Sequence, residues 1–133
     1  MNSLKGEIES IDVNGNLTLV GISVGECHFK SIVVETPETV DYLFAGSKVN
    51  VLFKETEVII GVGDDMKISL RNKMISTITS VEKGQLLAKL VMQTNAGEVI
   101  SIITSNAVEN LDLHEGGKVM AMVKTNEILL SKC

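Results

Sequence analysis

Apolar residues along this chain recur in alternation or in short β-branched runs, the signature of strands rather than of amphipathic helices. Residues 4–13, 16–24 and 27–35 form three such runs, and Asn14-Gly15 marks a tight turn between the first two. Val49, Val51 and Phe53 alternate within 48–54, and Val58, Ile60 and Val62 follow in 57–62. The same succession returns at 73–83, 86–95, 98–104, 118–124 and 127–131. Each series is interrupted once by helix-start chemistry. Thr36-Pro37-Glu38 offers an N-cap, a proline at the first helical position and an early acid. Asn106 has Glu109 three residues on, a capping-box spacing, and Gly116 or Gly117 is placed to end that helix.

The recurrence is a repeat. A shift of 70 residues without a gap brings twelve identities into register, from Asn2 on Asn72, Ile8 on Ile78 and Ser31 on Ser101 through to Lys54 on Lys124. Gly-x-Lys-Val-x-x-x-x-Lys-x-x-Glu followed by three aliphatics occurs in both halves. Two units are therefore expected, 1–63 and 64–133, joined at Gly61-Val62-Gly63-Asp64-Asp65. Five strands and one short helix in each predict an all-β chain of two tandem, small, five-stranded barrels resembling the oligonucleotide/oligosaccharide-binding (OB) fold.

A unit of this length buries only about 60% of the surface its unfolded chain exposes. The strands are also not cleanly two-faced: Met120 and Met122 alternate with Val119, Ala121 and Val123, and Ile59 and Leu129 add apolar residues in the strands that follow. That pattern predicts contacts between barrels and between chains, with one larger sandwich core as the alternative.

Composition narrows the function. Twelve basic against 17 acidic side chains give a net charge of −5, and aromatics are 3% of the chain, so neither a basic groove nor stacking platforms for nucleic acid are expected. An OB-type nucleic-acid-binding domain is the weakest alternative. Two cysteines, no N-terminal apolar h-region and no run of 18 apolar residues place the chain in the cytoplasm, away from membranes. Cys27-His28 lacks a third ligand at zinc spacing, and neither His28 nor His114 sits in a nucleophile or acid/base context, so no metal site and no enzyme activity are expected.

Donors for a small anion are the chemistry that remains. In Ser69-Leu70-Arg71-Asn72, strand alternation sets Ser69 and Arg71 on one side. Lys124-Thr125 brings a second cation and hydroxyl at a turn, and Thr104-Ser105-Asn106 brings hydroxyls at the second predicted helix start. Exposed cations near turns are also ordinary solubilising residues, so composition alone leaves both readings open.

Ser69-Leu70-Arg71-Asn72, then Ile-x-Ser-Val-Glu-Lys-Gly from Ile78 to Gly84, Ile102-Ile103-Thr104, Leu113 to Val119 and Val123-Lys124-Thr125 together resemble the Mop (molbindin, TOBE-like) family. The first half is similar to a second, degenerate unit, as in tandem molbindins. The resemblance implies associating OB-like barrels that bind molybdate or tungstate at interfaces between barrels, with no organic cofactor. It implies Ser69, Arg71, Thr104, Lys124 and Thr125 as oxyanion ligands, Thr104 reaching in from a neighbouring barrel, with Leu70, Asn72, Ser105 and Lys54 as secondary candidates. It also implies a homo-oligomer, a trimer by likeness to tandem molbindins, that stores, buffers or senses the oxyanion. The alternative is a ligand-free oligomerisation or regulatory module of a molybdate transporter ATPase or regulator.

The chain departs from the pattern in places. Ala107 stands where relatives carry a further hydroxyl. In the first half Met1 takes the place of Arg71, Val34 that of Thr104 and Glu55 that of Thr125. The second unit is thus expected to supply the specific ligands and the first to act as scaffold.

Overall fold

The computed structural model describes residues 1–133. Ten strands form two five-stranded antiparallel sheets. In the first half β1 (Asn2–Asn14), β2 (Leu17–Val24), β3 (Cys27–Val33) and β4 (Lys48–Phe53) precede a short 3-10 turn, Glu55–Glu57, and β5 (Ile59–Gly61). The second half repeats them as β6 (Asn72–Lys83), β7 (Leu87–Thr94), β8 (Gly97–Thr104), helix α1 (Ser105–Asn110), β9 (Lys118–Val123), the turn Thr125–Glu127 and β10 (Leu129–Lys132).

The long first strand of each half serves two neighbours. β1 pairs through Asn2–Glu7 with β4 and through Glu7–Asn14 with β2. A register shift between Ile8 and Ser10 bends it where the partner changes, and β6 shifts at the equivalent Ile78 and Ser80. Such bulges add local twist and let a sheet curl. The loops before β4 and β9 close these bends: Gly46 N–H donates to the Ile8 carbonyl and Gly116 N–H to the Ile78 carbonyl, both at 2.8 Å. Both glycines hold positive φ, +93° and +84°, where a side chain would be strained.

The two sheets do not follow the two sequence halves. Their strand orders are β10-β4-β1-β2-β3 and β5-β9-β6-β7-β8, so the last strand of each half pairs in the other sheet. Leu129 lies opposite Leu52, and Ile59 opposite Met122. The cause is local: the chain leaves β4 through a 3-10 turn rather than a tight hairpin, and buried Val58 then anchors it on the opposite half. There the Val58 carbonyl accepts from Ser101 Oγ at 3.0 Å, and the equivalent Ile128 carbonyl accepts from Ser31 Oγ at 3.1 Å.

Two asparagines complete the reciprocal lock. Asn72 Nδ2 donates to the Lys30 carbonyl at 2.9 Å while its Oδ1 accepts from Lys30 N–H at 2.7 Å. Asn2 does the same to Ile100, both bonds at 2.8 Å. The β2–β3 and β7–β8 turns also meet: Glu26 N–H donates to the Asn95 carbonyl at 3.1 Å. Gly25 permits that approach, since a Cβ there would lie 2.7 Å from the Asn95 oxygen.

One continuous core of 24 buried residues draws on both halves, from Ile8, Phe29 and Phe53 to Met74, Leu90 and Met92. The apolar pattern of β9 is thereby explained within one chain, since Ala121, Met122 and Val123 are all buried. Other aliphatics remain on the surface, with Leu86 81%, Val34 75% and Ile75 65% exposed.

Two helix expectations are corrected. No helix forms at Thr36-Pro37-Glu38; Thr39 and Val40 N–H both donate to the Thr36 carbonyl, Thr39 Oγ1 accepts from Thr36 N–H, and the chain turns once toward buried Leu43. A run of β-branched residues does not favour continuing the helix. In the second half the cap is Thr104, whose Oγ1 accepts from Ala107 N–H at 3.1 Å, while Asn106 lies inside the helix and accepts from Asn110. The helix ends at Asn110, and Asp112 at φ +52° reverses the chain there, well before Gly116.

The lock yields a measurable cost. A buried donor or acceptor left unpaired costs about 1–3 kcal/mol, so Asn72→Ala, which orphans two groups on Lys30, lowers unfolding free energy by about 2 kcal/mol or more. Exposed Asn106→Ala changes it little; equal shifts in the urea midpoint would contradict the assigned role of Asn72.

Candidate functional site

Strand register assembles the candidate residues. β6 and β9 are antiparallel with Asn72 opposite Val123, and continuing that ladder by one step carries Arg71 to Lys124. In the first half Met1 and Glu55, 70 positions before Arg71 and Thr125, touch: the Met1 nitrogen lies 2.8 Å from Glu55 Oε2. Ser69, Arg71, Lys124 and Thr125 therefore share one corner, where β6 begins and β9 ends. Ser69, Arg71 and Lys124 are exposed and Thr125 is half-buried.

The guanidinium of Arg71 is held over its own loop. Nη2 donates to the Ile68 carbonyl at 2.5 Å and Nε to the Ser69 carbonyl at 3.2 Å. These two bonds fix the fork close to Ser69 and leave further N–H donors of the exposed guanidinium uncommitted. Lys124 is in extended conformation, and its carbonyl accepts from Glu127 N–H to close the turn.

Several candidates turn out to be structural. Asn72 is fully buried with both amide atoms committed to Lys30, and Leu70 is buried. Ser105 is buried, donating its hydroxyl to the Gly84 carbonyl at 2.7 Å, and its N–H donates to Leu86. Thr104 is exposed with a hydroxyl that caps α1 by accepting, so its proton is free to donate elsewhere. Lys54 is exposed in the first-half copy of the corner.

Thr104 and Arg71 do not lie on the same side of the chain. The turn Thr125–Glu127 packs against β3, whose continuation carries Val34, whereas β8, which ends in Thr104, packs against the turn Glu55–Glu57. Lys89 on β7, opposite Ile102, lies on that second side too; the Glu55 carboxyl is lowered mainly by its hydrogen bond from the Met1 nitrogen, and Lys89 adds a smaller Coulombic attraction. The sequence reading passed over Lys89, because its repeat partner is Leu19 and no repeated signal marks it. Surface clefts, such as those lined by Gly63, Asp64 and Met120 or by Leu111, His114 and Gly117, share no residue with the corner.

Cys27 and His28 diverge. The Cys27 thiol is buried and donates to Asn95 Oδ1 at 2.9 Å, while exposed His28 places Nδ1 2.9 Å from Glu9. No group of three or more His, Cys, Asp or Glu side chains is arranged to hold a metal ion, and no helix is long and apolar enough to cross a membrane.

The fold defines a class, two small OB-like units in tandem. The TOBE domain model matches residues 68–130. Molybdenum-pterin-binding protein 3 of Clostridium pasteurianum is 32% identical over 66 residues, which span 49% of this chain and 97% of that protein. Molybdenum-pterin-binding protein MopB of Rhodobacter capsulatus is 24% identical over 133 residues, covering 98% of this chain and about half (49%) of that protein. A solved structure of the cytoplasmic molybdate-binding protein ModG with molybdate bound superimposes with a TM-score of 0.92 at 24% identity, covering 99% of this chain and 96% of that one. The chain belongs to the Mop/TOBE family, with two units in tandem.

The two thiols should differ in reactivity. Burial, reinforced by neighbouring Glu26, raises the Cys27 pKa, so its thiolate fraction at neutral pH is small, whereas Cys133 is exposed. Ellman's reagent is expected to label one thiol promptly and the second only as the protein opens; two equal fast phases would contradict the buried placement.

Proposed function

We propose that this protein binds molybdate, or the isostructural tungstate, without catalysing a reaction, and serves to store, buffer or sense the oxyanion in the cytoplasm. The observation that carries the reading is the β6–β9 register, whose Asn72–Val123 pair brings the chain just before β6, with Ser69 and Arg71, toward the chain just after β9, with Lys124 and Thr125, inside the stretch that matches the TOBE model. Its relatives, named for molybdenum-pterin and molybdate binding, support the choice of anion. A tetrahedral dianion suits these donors. Its four oxygens accept several charge-assisted hydrogen bonds from a guanidinium fork, an ammonium and two hydroxyls. The net charge of −5 does not oppose this, since screening over about 8 Å makes local donors decisive. Rejection of sulfate, which carries the same charge, rests on the size of the cage.

The cage is completed between copies. Within one chain the end of β8 lies on the Glu55 side, so Thr104 joins Arg71 only from a second chain. Exposed Leu86, Val34 and Ile75 supply apolar surface for that association, and a trimer accords with the family likeness.

Calorimetric titration with molybdate, tungstate, sulfate and phosphate tests the function. Molybdate and tungstate are expected to bind and sulfate and phosphate to bind far more weakly; no heat from molybdate at tens of micromolar protein defeats the reading. A charge-assisted hydrogen bond contributes about 1.5–3 kcal/mol, so Arg71→Ala weakens molybdate binding by about 10- to 100-fold. Lys54→Ala changes it little, and equal losses would overturn the assignment of the site to the second half. Light scattering should return a multiple of the 14.3 kDa chain mass; a monomer would remove the shared cage.

A further inference from the structure

The first-half copy of the corner departs from the second in a directed way. Lys54 is kept at the position of Lys124, but Glu55 replaces Thr125, placing a carboxylate where the proposed ligand set has a hydroxyl. Glu55 does not point away into water. Its side chain is 28% exposed, and Oε2 receives the Met1 nitrogen at 2.8 Å, the position that Arg71 holds in the other half. The facing half supplies groups that suit an anion: Lys89, whose charge acts on the carboxylate, and β8, packed on its turn and leading to Thr104, whose hydroxyl proton is free. The opposite corner has no such facing donors, since Leu19 and Val34 stand where Lys89 and Thr104 would be.

We propose that the Glu55 carboxylate is a built-in anion that occupies the first-half copy of the oxyanion corner and excludes a free oxyanion from it. The carboxylate takes the attraction of the surrounding cations and adds like-charge repulsion against any dianion that approaches. Its titration agrees with that role. The carboxyl is held below the usual carboxylate range by the hydrogen bond from the Met1 nitrogen first, then by its own backbone N–H, with Met1 and Lys89 adding Coulombic attraction, so it is ionised throughout the physiological range. The plug makes the repeat functionally one-sided: one corner pairs a cation with a hydroxyl, while in the other a carboxylate held by the Met1 nitrogen stands where that hydroxyl would be.

The inference rests on the oxyanion-binding reading above, and the test separates the two. Molybdate bound per chain is measured by equilibrium dialysis on the intact protein, Glu55→Thr, Glu55→Gln, Arg71→Ala and the Glu55→Thr/Arg71→Ala double variant. Circular dichroism on each verifies folding. Glu55→Thr, which restores the residue found at position 125, is expected to raise the molybdate bound per chain over wild type. The double variant is expected to bind more molybdate per chain than Arg71→Ala alone at the same free concentration. Glu55→Gln, which removes the charge at constant shape, should give a smaller rise in the same direction. Unchanged stoichiometry in both Glu55 variants, with wild type still binding through Arg71, overturns the plug and leaves the main reading standing. Binding by Glu55→Thr with none by wild type supports the plug and overturns the main reading. No binding by any folded variant overturns both.

Discussion

Everything in this structure depends on pairing the outward backbone groups of β3 and β8. Both are the outermost strands of their sheets, and both are covered by the opposite half, where unpaired N–H and C=O groups carry a heavy penalty. Asn72 and Asn2 meet that demand with a side-chain amide, which offers one donor and one acceptor at the spacing of a strand's own backbone. Each amide stands at the start of the long strand of its own half. The same residue that seals an edge therefore fixes where that strand begins, and Arg71 is held at the site because Asn72 is held in the interior.

The repeat, the ten strands and the motif around Ser69 and Arg71 were legible in the sequence because each is a local pattern: alternation, a turn dipeptide, a run of spaced identities. The exchange of β5 and β10 was not, since ladder partners of aliphatic strands are interchangeable by composition and nothing in Ile59-Ile60-Gly61 says which sheet it joins. The first helix failed for a related reason. Thr36-Pro37-Glu38 is correct start chemistry with no favourable run behind it. Asn72 was grouped with the ligands because it borders Arg71, yet it is matched by Asn2 in the repeat while Arg71 is matched by methionine. An identity shared by two halves that differ at their candidate ligands points to packing, and Ser31 with Ser101 follows the same logic. Thr104, Lys124 and Thr125 stand out by motif, but which of them face one another is a property of tertiary packing and not of spacing.

Asymmetry between near-identical folds is where the chemistry resides. The two corners share turn type and one lysine, and they differ in Arg71 against Met1 and in whether the residue after that lysine is neutral or anionic. With both units sharing a single core, substitutions at the exposed corners alter charge without disturbing the packing that supports them. Duplication followed by change at a few exposed positions leaves the scaffold intact and redistributes function between the copies.

The crossed strands also bear on how the chain is made. β10 completes the sheet founded by β1–β4, yet Leu129 lies 77 positions beyond its partner Leu52. During synthesis from the N-terminus the first sheet waits, with the free edge of β4 open, until nearly the whole sequence has emerged. Folding in two sequential steps, one half at a time, is closed to this topology, and the halves reach their native form together.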